Sequence, residues 1–471
     1  MIRRHRTTVG VALAFVAGAF SLAHGHTAQP AQAALEDFDA AWEAIRDTHF
    51  DPELNGVDWD AVRDELRPEA EHADRAEGRG IIYEMLGRLG QSHFTLLPKG
   101  GGGIEPYGDG EHAAPVVVET PEPTVPESEL ADAEDEHGHG EARPDFETRL
   151  IGDDVVVVRV RAGSDAERAG VRPGWALLAI GDEPLAPIIV EQVEAMGRRS
   201  GGLYVWQIVT GTLSGAEGSH TRLVFLDGNG NEQTLTVERE APVEPAVAFA
   251  GLPAMSPGFE HRWIEAAELG LVSEARIGYI AFDVWLQTIP RQFDAAMFEF
   301  RDADGLVIDL RGNIGGIGAL AMMVGRYLVD EPASLGTMSM RNQTLHFNLQ
   351  PVMVSMEGED LDPYAGPVAI LIDGGSASTS EIFAAGMQEL GRSRVFGQPT
   401  PGMALPAMLT ELPSGDVLMH AMAGFETPGG FSMEAAGVTP DVLAPWDRAS
   451  LLAGRDDALD AAAQWIIKGE E

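Results

Sequence analysis

Two strand-to-loop transitions carry the residues of this chain best suited to covalent chemistry. The first runs Leu306-Val307-Ile308-Asp309-Leu310-Arg311-Gly312-Asn313-Ile314-Gly315-Gly316, an apolar strand that breaks into glycines. Glycine has no Cβ, so backbone N–H groups in such a loop can face a ligand at close range. The second, residues 367–391 (PVAILIDGGSASTSEIFAAGMQELG), reads as a strand, a turn of small residues holding Ser376, Ser378 and Ser380, and a helix. A serine there lies beside the unpaired N–H groups of a helix N-terminus, which can stabilise a developing oxyanion. A serine hydroxyl is a weak nucleophile near neutral pH. It needs a base within hydrogen-bond reach and a third group to orient that base. The chain has 0 Cys and two lysines, Lys99 and Lys468. Thiolate chemistry and cysteine metal sites are therefore excluded, and histidine, with an unperturbed pKa of about 6.5, suits the role of base.

Both transitions fall within residues 242–471, where strands alternate with helices: IGYIAFDVW, a helix around Arg291 to Phe300, GLVIDL, a helix after Gly315, PVAILID and SEIFAAGMQEL. Alternation of this kind predicts an α/β domain. Residues 146–241 instead alternate β-rich segments (VVVVRV, WALLAI, TRLVFL, QTLTVE) with turn signals. From 34 to 99 the apolar residues recur at helical spacing, as in Phe38, Trp42, Ile45 and then Ile81, Ile82, Met85, Leu86, Leu89, which predicts a small helical region. Residues 100–145 are rich in Gly, Pro, Glu and Ala and cannot bury enough surface to offset ordering entropy, so they read as an acidic flexible linker. Its EDEHGHGE stretch, with His137 and His139, reads as a solvated acidic tract, and no metal or cofactor is expected.

Residues 1–33 carry Arg3, Arg4 and Arg6, an apolar run from Val9 to Phe20, and small residues up to Ala33. This is the pattern of a secretory signal peptide, with cleavage after Ala33 or Gly25. The expectation is an exported protein, periplasmic or extracellular, with no stable membrane anchor after cleavage. Over 471 residues, 74 Asp plus Glu stand against 32 Lys plus Arg, a formal charge of −42. Nucleic-acid backbones and anionic bilayers would be repelled, so neither is a partner. Composition leaves the oligomeric state open.

Within the β-rich region, SDAERAGVRPGWALLAIGDEPL resembles a PDZ domain through its short helix, its Arg172-Pro173-Gly174 turn and its Ile180-Gly181-Asp182-Glu183-Pro184 strand-turn. In that family a groove beside an edge strand accepts an extended peptide. Together with IDLRGNIGG, GGSASTSEIFAAGMQELGRSRVFGQPT and GVTPDV, the order of helical start, PDZ-like region and α/β core resembles the tail-specific protease family, also called carboxyl-terminal processing peptidases. The resemblance implies a crotonase/ClpP-like catalytic core of β-α layers and a serine endopeptidase acting on protein or peptide substrates. The family's nucleophile, the first serine of Ser-x-Ser-Glu, falls on Ser378. Its best-known branch uses a lysine base, but that position holds Met403, and a thioether cannot take a proton.

The tricorn-like branch uses serine and histidine with a second serine and a glutamate. Its pattern falls on Ser378, on Ser92-His93 within Gly90-Gln91-Ser92-His93-Phe94, and on Glu434 before Gly437-Val438-Thr439-Pro440-Asp441. On that resemblance His93 is the base and Glu434 orients it through Ser92. The N–H groups of Gly315 or Gly316 and of Thr379 would hold the oxyanion. His420 is the rival base, although a strand histidine is more often structural. Glu381 either caps the helix after Ser378 or supports the site. Two other readings use the same residues: an inactive PDZ-containing adaptor that binds peptides, suggested by Met403, and an esterase with the same nucleophile.

Overall fold

The computed structural model describes residues 30–99, 142–249 and 252–469. The signal segment up to Gln29 and the linker from Gly100 to Glu141, with His137 and His139, lie outside the described residues. Pro30 to Ala33 open the first helix. Three helices, α1 (Pro30–Thr48), α2 (Trp59–Ala70) and α3 (Arg75–Gly87), form the leading layer, followed by a short strand β1 (Thr95–Leu97). Asp74 starts α3 with a reciprocal cap: its carboxylate accepts the Glu77 N–H while Glu77 accepts the Asp74 N–H, which satisfies two of the orphan donors of a helix start. The helical spacing seen in the sequence becomes one buried face, with Phe38, Ile45, Ile82, Met85 and Leu86 almost wholly enclosed.

The β-rich domain contains β2 (Phe146–Ile151), β3 (Asp154–Val160), α4 (Asp165–Ala169), β4 (Ala176–Ile180), β5 (Glu183–Pro184), α5 (Ala186–Leu213), β6 (His220–Leu226) and β7 (Glu232–Glu238). Its antiparallel sheet runs β2-β3-β4-β6-β7, with β5 paired to β4, so β2 is an edge strand. Ala142 and Arg143, at the end of the stretch read as linker, bridge to Gly215 and Glu240 and thus belong to this domain. A small hairpin, β8 (Val247–Phe249) and β9 (Leu252–Met255), leads out of it.

The α/β domain follows: β10 (Glu260–Glu265), β11 (Arg276–Ala281), α6 (Ile289–Glu299), β12 (Gly305–Asp309), α7 (Ala319–Gly325), β13 (Ala333–Met340), β14 (Thr344–Leu349), β15 (Val368–Ile372), α8 (Thr379–Glu389), β16 (Arg394–Gly397), β17 (Ala407–Glu411), β18 (Val417–Ala421), β19 (Ala423–Glu426), β20 (Val442–Leu443), α9 (Arg448–Leu452) and α10 (Asp457–Lys468). The central sheet has the order β10-β11-β12-β15-β16-β20, parallel except for β10. Its inner strands β11, β12, β15 and β16 are buried on both faces. Leu306 and Ile308 of β12 pack with Phe293, Leu320 and Phe383 from α6, α7 and α8, while Val307 between them packs with Leu459 and Ala462 of α10. This period-two division explains the unbroken apolar runs of GLVIDL and VAILI. The hairpin β13–β14 and the pairing of β13 with β19 form a separate small sheet.

Two seams bring the parts together. β1 joins β18 as an antiparallel partner, Thr95 opposite Met419 and Leu97 opposite Val417. Leu405, Leu412, Leu418 and Ala421 complete the core of the helical layer. The buried Asp416 accepts from Arg75, Arg79 and the Lys99 N–H. The β-rich domain docks through Arg149, whose Nε lies 2.7 Å from the buried Asp373 carboxylate, and through Arg159, which reaches Asp309. No helix among the described residues is long and apolar enough to cross a membrane.

Candidate active site

Strands β12 and β15 are neighbours, so the loops that leave their carboxyl ends lie side by side. Asp373, at the end of β15, accepts from both loops: the Gly312 N–H at 2.8 Å and the Gly375 N–H at 2.8 Å. The glycine loop then lies flush on the serine turn. A Cβ built on Gly315 would come within 2.6 Å of the Ser378 Cβ, which is why this position, with φ 95°, tolerates only glycine. Ser378 sits immediately before α8 with φ 55° and ψ −117°. That sharp, strained strand-to-helix turn presents a nucleophile outward. Three of the five non-glycine residues with positive φ among the described residues are His93, Ser378 and Ala435. Such strain costs of order 1–3 kcal/mol per residue and persists where the surroundings hold it in place.

The N–H groups facing this turn are not equivalent. Trp285 donates to the Gly315 carbonyl and accepts from the Ile317 N–H, a short parallel bridge that turns the N–H and C=O of Gly316 the other way. The Gly316 carbonyl accepts from the Thr379 hydroxyl at 3.0 Å, while its N–H has no partner among the described residues. Thr379, as the first residue of α8, has no partner for its N–H within the helix. The Gly315 N–H, by contrast, donates to Asn313 Oδ1 at 3.0 Å. Of the two glycines named from sequence, Gly316 therefore offers the free donor and Gly315 does not.

Ser92 and His93 come from the loop between α3 and β1, and Glu434 from the segment after β19. The Ser92 N–H donates to Glu434 Oε1 at 2.8 Å, and the Ser92 hydroxyl donates to Glu434 Oε2 at 2.9 Å. With its one proton committed, Ser92 Oγ accepts from His93 Nδ1, 2.8 Å away. This fixes the tautomer: Nδ1 carries the hydrogen and Nε2 keeps its lone pair. Burial pushes the His93 ring down to about 4, so it is neutral at pH 7. Burial also raises Glu434 from its ordinary value, opposed by the Ser92, Ala404 and Leu405 donors.

Met403 and Ala404 link the two halves. The Ser378 N–H donates to the Met403 carbonyl at 2.9 Å, and the next N–H, that of Ala404, donates to Glu434 Oε2 at 3.2 Å. The residue at the expected lysine position thus contributes through its backbone. No hydrogen bond joins Ser378 Oγ to the His93 ring among the described residues. Glu381 is fully buried and accepts from the Ser378, Gly402 and Met403 N–H groups and from the Thr400 hydroxyl. It is therefore a hub between the serine turn and the loop 400–403, beyond a simple cap.

His420 lies elsewhere. On β18, fully buried, it spends both nitrogens on hydroxyls: Nδ1 on Thr48 at 3.2 Å and Nε2 on Thr410 at 2.9 Å. Thr48 gives its proton to the Ala44 carbonyl, so His420 donates from Nδ1 and accepts at Nε2. No lone pair remains for catalysis. Burial pushes this ring down to about 4. A folded value below the unfolded one leaves stability intact above about pH 6.5 and removes it as the pH falls through about 4, by roughly 3 kcal/mol for a shift of this size. Urea unfolding between pH 7 and 4 should show a fall in stability that is shallower in His420→Gln.

Sequence reasoning missed Asn313, whose amide sets the glycine loop, and the bridging backbone of Met403 and Ala404. Asn313 stood inside the quoted motif, but nothing in its type distinguished it from turn chemistry. Among the described residues no group of three or more His, Asp or Glu is arranged to hold a metal ion.

Comparisons with known proteins find similarity along most of the chain. Residues 276–444, which include Ser378 and Glu434, match Peptidase family S41, and residues 30–87 match the Tricorn protease C1 domain, ending before Ser92. The chain is 26% identical over 413 residues to carboxyl-terminal-processing peptidase 3, chloroplastic, of Arabidopsis thaliana, covering 85% of this chain and 67% of that protein. It is 26% identical over 449 residues to tricorn protease homolog 1 of Streptomyces coelicolor, covering 93% of this chain and 35% of that protein. Among solved structures, a photosystem II D1 C-terminal processing protease aligns with a TM-score of 0.53 at 22% identity, over 90% of this chain and 98% of that one. Mature CPAF aligns at 0.54 and 11% identity, over 93% and 96%. At these identities the structural likeness concerns the fold, one of mixed α/β content. On these sequence matches, which place an S41 peptidase similarity over residues 276–444, the chain is a serine-type peptidase.

Proposed function

We propose that this peptidase is an exported endopeptidase of the tricorn-like branch, in which Ser378 is the nucleophile, His93 the general base, and Ser92 and Glu434 the groups that orient the base. The observation that carries the reading is the relay from Glu434 through Ser92 to His93 Nδ1, because it leaves a neutral imidazole with its Nε2 lone pair unspent. Ser378 Oγ attacks the scissile carbonyl carbon as Nε2 takes its proton. The imidazolium that forms is stabilised through Ser92 by the Glu434 carboxylate, and the oxyanion receives the N–H groups of Gly316 and Thr379. Each such donor typically lowers the barrier by about 3 to 4 kcal/mol. Collapse of the tetrahedral intermediate breaks the C–N bond as His93 returns the proton to the leaving amine. Water, deprotonated by His93, then attacks the acyl-enzyme, and the second collapse releases a carboxylic acid and restores Ser378.

The β-rich domain fits a PDZ role in this reading. Its edge strand β2 runs beside α5, and a cavity of about 420 Å³ lined by Leu150, Ile151, Leu203 and Trp206 opens there, with Gly374 and Gly375 on the opposite wall. An extended peptide added to β2 would thus lie next to the turn that leads to Ser378. The crotonase/ClpP-like description of the core rests on the same family resemblance.

One observation favours the silent-adaptor reading: Ser378 Oγ and the His93 ring are not hydrogen-bonded. Catalytic hydrogen bonds are often long before substrate binds and tighten in the complex, so activity decides. The mature chain should cleave a denatured protein and take a fluorophosphonate label on Ser378, and Ser378→Ala should lose both. Absence of cleavage and labelling in the wild type would leave the adaptor. Ester hydrolysis without peptide hydrolysis would leave the esterase.

A further inference from the structure

Asn313 is completely buried, and every polar group it has is used. Its Nδ2 donates to the Phe282 carbonyl at 2.7 Å, and its Oδ1 accepts from the Gly315 N–H at 3.0 Å. Its own carbonyl accepts from the Ala377 N–H at 2.9 Å and the Ser380 hydroxyl at 3.1 Å, and its N–H donates to Leu310. One residue therefore ties the segment that follows β11, the glycine loop and the serine turn together. Gly315 and Gly316, at φ 95° and 136°, have no side chains to choose between backbone orientations, so the peptide that faces Ser378 is set by its hydrogen-bond partners. Asn313 takes the Gly315 N–H, and the Trp285 bridge takes the Gly315 carbonyl. The Gly316 N–H is left over.

We propose that Asn313 is the positioning residue that selects Gly316 as the oxyanion donor, by holding the Gly315 N–H and the Phe282 carbonyl with the two ends of one amide. The inference rests on the hydrolase reading given above. Only a group that donates at one end and accepts at the other satisfies both partners. A neutral carboxylic acid at this position would do so as well, whereas an ionised one would set a negative charge against the Phe282 carbonyl.

The test uses the mature full chain with a fluorogenic peptide, a peptide boronic acid as transition-state analogue, and thermal melts to confirm folding. Asn313→Ala should lower kcat by about 100-fold, the usual cost of one oxyanion donor, with KM nearly unchanged. Boronate affinity should fall by a similar factor, while peptide binding in a Ser378→Ala background stays as it was. Asn313→Asp carries the test if the alanine variant fails to fold. Its activity relative to wild type at the same pH should be greatest at low pH and fall as its carboxyl ionises, a descending limb absent from the wild type. Unchanged kcat and boronate affinity in Asn313→Ala, or an Asn313→Asp pH profile parallel to wild type, would overturn the assignment while leaving the hydrolase intact. If wild-type cleavage does not depend on Ser378, the hydrolase reading itself fails, and Asn313 with it.

Discussion

His93→Ala should reduce kcat/KM by about five to six orders of magnitude, as loss of a catalytic histidine does in serine hydrolases, with little change in fold. The His93 ring lies in the loop before β1 and among the described residues hydrogen-bonds only Ser92, so its removal leaves a single hydroxyl to find a new partner. The rival base named from sequence and the two lysines are placed elsewhere among the described residues. Both nitrogens of His420 are bound to threonine hydroxyls. The Lys99 side chain lies against Gly415 at the β17–β18 turn, and Lys468 ends α10. Steady-state cleavage of a fluorogenic peptide by His93→Ala and His420→Ala separates the two histidines: the second variant should lose stability and keep most of its turnover per folded molecule. Burst kinetics should show that acylation is the step His93→Ala abolishes.

Glu381→Gln should cost about 100-fold in kcat/KM and lower the melting temperature. The carboxylate accepts from four donors while fully buried. A glutamine amide would turn an NH2 group toward N–H donors and leave at least one of them unsatisfied, a loss of about 1–3 kcal/mol. Because those donors belong to Ser378 and to the loop 400–403, the damage reaches the nucleophile and the Met403–Ala404 bridge. Burial pushes this carboxyl up to about 7, against the pull of its donors. A protonated Glu381 would put its own O–H among donors, so wild-type kcat/KM should rise with pH through about 7. The stability linkage has the opposite sign. With the folded value above the unfolded value of about 4.5, this group's contribution to stability is fully present below pH 4.5 and is lost as the pH rises through about 7. A pH series of activity and melting temperature on one preparation tests both limbs.

The α/β character of residues 242–471 was legible because parallel strands buried on both sides read as unbroken apolar runs flanked by glycine. GLVIDL and VAILI are such runs, and they became β12 and β15. Helical spacing identified α1 and α3 for a similar reason. The sequence did not reveal that Thr95–Leu97 would pair with Val417–Met419, because register between segments more than 300 residues apart depends on tertiary packing and leaves no local mark. Yet this pairing carries Ser92 and His93 to Glu434. At the site, residue types were legible and their backbone roles were not. Met403 looked like a lost catalytic group, because a main-chain carbonyl that holds the Ser378 N–H has no sequence signature. Gly315 and Gly316 looked interchangeable until the Asn313 amide distinguished them.

In the proposed mechanism the His93 imidazole activates the Ser378 hydroxyl. A crystal structure of the phosphonylated enzyme tests it most directly. It should show the adduct on Ser378 Oγ, the phosphoryl oxygen between the Gly316 and Thr379 N–H groups, and His93 Nε2 within about 3.2 Å of Ser378 Oγ, with Nδ1 still on Ser92. An adduct on Ser378 with the His93 ring out of reach and another group in its place would contradict the account.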